Sequence, residues 1–280
     1  MAQTKIAQFI LSQKPKAKTK LLKWVKPSKS SQTTYQNGLQ SYLDNISQTT
    51  EDAIFPILQQ YQDSYARDSV AGDASSFTAA LNDAFDRLTN SVASSISGFA
   101  RSMAGTFVNG QAGAATDALR KSFVSTYGVD ITPIIAGQNL SPEYQQALAI
   151  AQQENVALIK SIPSQYLDKV ERAVMDGVRS GQRADTIKNR IRDIHQQSWR
   201  RCRTIARDQA QKIINTSDRM RGLDMGIKKY QWRTVEDERV RHTHAENDLK
   251  YFRLDTPPPV TGHPGNDVNC RCVMRMLIEI

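Results

Sequence analysis

Three of the four histidines and two of the three cysteines fall between Tyr230 and Cys272. His242, His244, His263, Cys270 and Cys272 offer imidazoles and thiolates, the donors that zinc takes in fours at a tetrahedral structural site. Cys270 and Cys272 stand two apart on an expected strand, so both sulfurs leave the same face. That suits a shared ion and makes a disulfide between them geometrically poor. His244 and His263, one on each side of the Pro257-Pro258-Pro259 loop, are the candidates for the two remaining positions. Without a metal, the same residues read as hydrogen-bonding histidines beside buried cysteines. Asp237, Glu238 and Glu246, with Asn266 or Asn269, add ligand types used by metal-dependent nucleases. No nucleophile–base spacing, phosphate-cradling glycine loop or Ser-His-Asp context accompanies them. The alternation of Asp237, Arg239 and Arg241 is explained more simply by a same-face ion pair in or beside a strand. The expectation is a module without catalysis, requiring no cofactor and offering at most a structural zinc.

A second kind of chemistry is electrostatic. The 280 residues carry a net charge of +9, unevenly spread. Residues 1–43 hold eight lysines and no acid, residues 44–159 are acidic, and residues 160–229 are basic again. Such blocks attract a polyanion, with affinity that falls as salt rises. In the first block the candidates are Lys14, Lys16, Lys18, Lys20 and Lys23. In the later one, Arg190, Arg192, Arg200, Arg201, Arg203 and Arg207 cluster. Arg200, Arg203 and Arg207 have the spacing of one helix face, suited to phosphates or an acidic partner but not to reading bases. Three cysteines make no disulfide framework and point to a reducing compartment. No apolar run approaches the roughly 18 residues needed to span a bilayer.

The elements that must carry these groups are mostly helical. Residues 1–34 read as a flexible basic arm with two apolar anchors, Ile6-Phe9-Ile10-Leu11 and Leu21-Leu22-Trp24-Val25. From Tyr35, Leu39, Tyr42, Ile46, Ala53, Ile57, Tyr61 and Tyr65 recur at helical steps, with Pro56 expected to kink or restart the helix. Phe77 to Phe107 form a longer stripe, repeating so as to give a nearly straight seam of about 45 Å. Asn109-Gly110 and Gly113 suggest its end, and a short helix (114–127) and a loop (128–141) follow. Pro142 and Pro163 each open a helix, Gly181 closes the second, and further helices are expected over 184–194 and 199–225 with Gly226 as cap. Short strands are expected at 228–234, 251–254 and 270–280. The fold class is therefore mainly α. An elongated helical N-terminal part (35–140) and a helical block (141–226) precede a small β-rich module (227–280), whose short antiparallel sheet packs on the block.

Trp232, the run Asp237-x-Arg239-x-Arg241-x-x-His244, the proline cluster and Asn269-Cys270-Arg271-Cys272 together resemble the C-terminal signature of tailed-phage minor head proteins. This is the head-morphogenesis family typified by protein F of phage Mu. Asn155 to Ser164, Ile205 to Gln209 and Gly226-Ile227 are also similar, so the resemblance covers about 155–275. Some members carry Cys-x-x-Cys where this chain has Arg241-x-x-His244. The resemblance implies a non-enzymatic virion protein, made in the host cytoplasm and held at the portal inside the capsid. It implies the portal protein, other head proteins and packaged double-stranded DNA as partners, and a role in assembly, packaging or ejection. A DNA-binding virion protein without a portal role is the alternative. Modules of this kind also occur fused to toxin domains, and with no further domain after Ile280 an enzyme is not expected.

Overall fold

The structure, a computed structural model, describes residues 4–65, 73–136 and 140–280, and their side chains except those of 61, 63–65 and 73–75. Among these residues there are seven helices and four strands. The helices are α1 (Lys5–Gln13), α2 (Lys29–Tyr65), α3 (Asp73–Tyr127), α4 (Thr132–Ala136), α5 (Pro142–Arg179), α6 (Ala184–Asp224) and α7 (His242–Ala245). The strands are β1 (Lys20–Leu21), β2 (Lys229–Arg233), β3 (Tyr251–Arg253) and β4 (Val273–Ile278). No helix among the described residues is long and apolar enough to cross a membrane. The mainly α fold with a small antiparallel sheet is the one expected from the sequence.

The helices are fewer and longer than their punctuation suggests. Pro163 lies inside α5 and Pro56 inside α2, because the apolar stripe runs through each proline without a break. Ile159 and Ile162 before Pro163, and Tyr166, Val170 and Val174 after it, are all buried. Packing of that stripe offsets the hydrogen bond a proline removes. In α2 the buried apolar positions described after Ile46 are Ile54 and Leu58, not Ala53 and Ile57; Tyr61 and Tyr65 fall outside the described side chains. Gly110 does not end α3. A Cβ there would stand 2.9 Å from Oγ of Ser31, so the glycine admits a neighbouring segment instead of stopping the helix. Residues 184–224 form one helix where two were expected. Gly181 and Gly226 do close their helices, at φ of 64° and 78°.

The chain forms two compact units, one of residues 34–104 with 154–205, the other of residues 1–33 with 105–153 and 206–280. The first is helical. Leu39, Leu43, Phe85, Leu88, Val170 and Ile191 are among its buried side chains. Its buried polar groups are paired between helices: Tyr35 donates to Asn155 at 2.9 Å and Tyr166 donates to Ser47 at 2.9 Å. His195 meets Asp44 at 2.7 Å and Tyr42 stacks on Phe99.

The second unit carries the sheet, in the order β1-β4-β2-β3 and antiparallel throughout. Here the expected flexible arm is replaced by folded structure. Thr4 caps α1 by accepting from the Ala7 amide, Ile6, Ala7 and Ile10 are buried, and Leu22 and Val25 follow them into the interior. Lys20 and Leu21 pair with Ile278 and Leu277. Each buried aliphatic side chain contributes about 1.5–3 kcal/mol, and backbone pairing to β4 fixes the rest, so no partner is needed to order the segment. The core of this unit joins Ile6, Ile10 and Leu22 to Phe123, Tyr127, Ile227, Trp232, Met274, Met276 and Ile278.

Candidate functional site

The alternation read from Cys270 onward places its residues well. Cys270, Cys272, Met274, Met276 and Ile278 are all buried, while Arg271, Val273, Arg275 and Leu277 are partly exposed. Both sulfurs therefore face inward, where His244 on the one-turn helix α7 meets them. Its Nδ1 lies 3.6 Å from the Cys270 sulfur and 3.4 Å from that of Cys272. His244 is 2% exposed, and Trp232 of β2 presents its ring edge-on at a centroid distance of 5.4 Å. The Trp232 indole N–H has no hydrogen-bond partner among the described residues. It lies close enough to Cys272 to pull that thiol's pKa downward. On the far side of the imidazole, Nε2 meets the Asp267 carboxylate at 2.9 Å. All three cysteines are free thiols. The proximity of Cys272, the Gly265 amide and His244 outweighs burial to hold Cys270 down at about 6. Cys272 is pushed far above the ordinary thiol range by Cys270 and by burial. The pair thus gives up one proton readily and the second only at great cost.

His263, expected as a fourth ligand, is not brought to this cluster. Its Nδ1 lies 3.1 Å from the Tyr230 hydroxyl, and the two rings pack at 5.7 Å. Burial, then the charge of Arg219, hold it neutral, with a pKa down at about 4. His242 is exposed and pairs with Glu246 instead.

The charged residues of the signature fasten two loops together. Asp237 does not pair with Arg239 or Arg241 through strand alternation; residues 234–241 are not a strand. Its carboxylate receives both terminal nitrogens of Arg271, at 2.5 and 2.7 Å, a two-point fit suited to guanidinium geometry. These bonds, ahead of the Arg239 amide, hold Asp237 below the usual carboxylate range. Arg241 donates to the Val268 carbonyl at 2.8 Å. Arg239 has an exposed side chain. The second loop is tied to α6 in turn: Asp208 accepts from the Asn269 amide, Arg207 donates to the Asn269 side chain at 3.0 Å, and Asn215 donates to the Cys272 carbonyl at 3.0 Å. Asn269 takes a left-handed φ of 59°, which asparagine tolerates better than most residues. Sequence reasoning missed Asp208, Asn215 and Asp267. The signal for Asp267 was its place in a loop already rich in ligand types, whereas that for Asn215 was only a polar residue on the inner face of α6.

The expected cationic groups separate. Lys14, Lys16, Lys18, Lys20 and Lys23 are exposed in the sheet-bearing unit, with Lys20 also donating to the Thr126 carbonyl. Arg200 and Arg203 are exposed in the helical unit, and Arg201 donates to Ser161 there. Arg207 belongs to the other unit, where it helps line a groove of about 550 Å³. Trp24, Pro27, Val235 and Val273 give that groove its apolar surface, and Lys26, Lys29, Arg207, Arg271 and the Arg233–Glu236 pair its charge. Trp24 is 43% exposed, with the Lys26 ammonium over its ring at 5.9 Å from the centroid.

Comparison with known proteins places this geometry. Residues 168–275 match the family described as "Phage Mu protein F like protein". An uncharacterized protein of Haemophilus influenzae is 34% identical over 269 residues, covering 94% of this chain. The chain spans 57% of that relative's length. No solved structure matches.

Proposed function

We propose that this chain, whose residues 168–275 are phage Mu protein F-like, is a minor head protein of a tailed phage. In this reading it docks on the portal inside the head and serves assembly, packaging or ejection of DNA as a structural component, not as an enzyme. The observation that carries it is the use made of the signature. Asp237, Arg241, His244, Asn269, Cys270, Arg271 and Cys272 are spent on fastening two loops to each other and to α6. Residues so committed suit a docking module whose loops are held in one arrangement. The groove lined by Trp24, Val235, Lys26 and Arg207 supplies the docking surface. Its apolar patch within a cationic rim suits a partner segment that mixes acidic and apolar residues. The exposed lysines from Lys14 to Lys23 face packaged DNA.

The test is co-expression with the portal gene of the same genome, followed by size-exclusion chromatography with light scattering. A co-eluting complex of fixed stoichiometry, lost in the paired variant Trp24→Ala with Lys26→Glu, is expected. A chain that elutes alone beside an assembled portal ring sinks the portal role.

A further inference from the structure

We propose that His244, Cys270 and Cys272 bind a zinc ion through Nδ1 and the two sulfurs, with a water as fourth ligand. The three donor atoms lie within 4.8 Å of one another and their residues are buried. Zinc bonds of about 2.3 Å to sulfur and about 2.0–2.1 Å to nitrogen, opened to the tetrahedral angle, put nitrogen and sulfur about 3.6 Å apart. The observed separations are 3.6 and 3.4 Å, so both nitrogen–sulfur distances already match those of a zinc site.

The surroundings are arranged for a ligand as well. Because Asp267 offers only acceptor oxygens when ionised, its contact with Nε2 at 2.9 Å puts the ring proton on Nε2. Nδ1 is left with a lone pair aimed between the sulfurs. A carboxylate behind a ligating imidazole is the usual way a metal site fixes tautomer and ring orientation. The Gly265 amide donates to the Cys270 sulfur at 3.4 Å, which steadies a thiolate. Two thiolates would exactly cancel the ion's charge in this buried place, removing the largest cost of putting it there. The fourth position opens on a small cavity of about 20 Å³ lined by all three ligands with Asn269, Arg239, Arg241 and Arg271. That is room for about one water. The ion joins α7 to the segment that precedes β4, as the charged bonds join the loops around it. Nothing in this depends on docking to a portal.

The test uses the full chain purified without a metal-binding tag. Elemental analysis should give about one zinc per chain, removable by a chelator with loss of thermal stability. Cobalt added to the stripped protein should give a thiolate-to-metal charge-transfer band and the intense visible bands of a tetrahedral ion. Cys270→Ser and Cys272→Ser should abolish that spectrum, Asp267→Asn should weaken binding about 10- to 100-fold, and His263→Gln should leave it unchanged. A folded, stripped wild type that gives no cobalt band at stoichiometric metal overturns the proposal, and so does a spectrum that survives both cysteine substitutions. Should the cysteine variants fail to fold, the wild-type cobalt spectrum decides alone, because band intensity reports the number of thiolates.

Discussion

Asp218 is a carboxylic acid at 4% exposure on the inner side of α6, and its Oδ1 has no hydrogen-bond partner among the described residues. Burial alone raises its pKa from 3.8 to about 8. The group is therefore protonated in the folded chain at neutral pH and ionised in the unfolded one. With a raised folded pKa, its contribution is fully favourable below about pH 4 and drains away as pH rises toward about 8, at roughly 1.4 kcal/mol for each pH unit. Asp218→Asn should remove that slope. The gap in melting temperature between variant and wild type should widen in the variant's favour from pH 5 to pH 8; a constant gap would mean that Asp218 is solvated. Nothing in the sequence marks Asp218 out, because an aspartate on a long basic helix reads as a surface residue. The cysteines were legible, since alternation alone put both sulfurs on the inner face. His263 was misassigned because proximity in sequence says nothing of the Tyr230 hydroxyl that claims it.

At the scale of elements, the errors share a cause. Glycines and prolines were taken as ends, although their cost of about 1 kcal/mol for glycine and about 3 for proline is small beside the packing of a continuous stripe. In α6 the stripe was hidden because six inner positions, Ser198, Asp208, Gln209, Asn215, Ser217 and Asp218, are polar yet buried. The strands, which alternate cleanly, were placed within a few residues of their true limits. One glycine is indispensable for a different reason. Gly265 has a φ of 91°, and a Cβ there would lie 2.8 Å from the Asn215 amide nitrogen. Asn215 is the residue that holds the Cys272 carbonyl. Gly265→Ala should therefore lose about 2 kcal/mol or more through strain and a broken tie. Urea unfolding should register it as a lower midpoint with the same slope, and a loss under 0.5 kcal/mol, about that of an ordinary surface change, would show that the loop relaxes freely.

For the whole molecule the charge map was read correctly in outline, and the arm was not, because composition reports lysines and cannot report a strand partner some 250 residues away. The lysines remain exposed on that folded segment, so they give the cleaner test of DNA contact; Arg207 is tied to Asn269, and changing it disturbs the loops too. Replacing Lys14, Lys16, Lys18, Lys20 and Lys23 with glutamine should make log affinity for duplex DNA shallower in log salt, by up to about 4.5 at 0.9 per lost phosphate contact. An unchanged slope removes this face from the DNA-contact reading. The pairing of Lys20 and Leu21 with Leu277 and Ile278 also sets a timetable for synthesis. Ile6, Ile10 and Leu22 are made some 250 residues before the strand and the methionines that cover them. Until β4 has been made, this apolar surface lacks its native cover and is open to other chains. All residues of the helical unit have been made by residue 205, whereas the sheet-bearing unit still lacks its central strand β4 at that point.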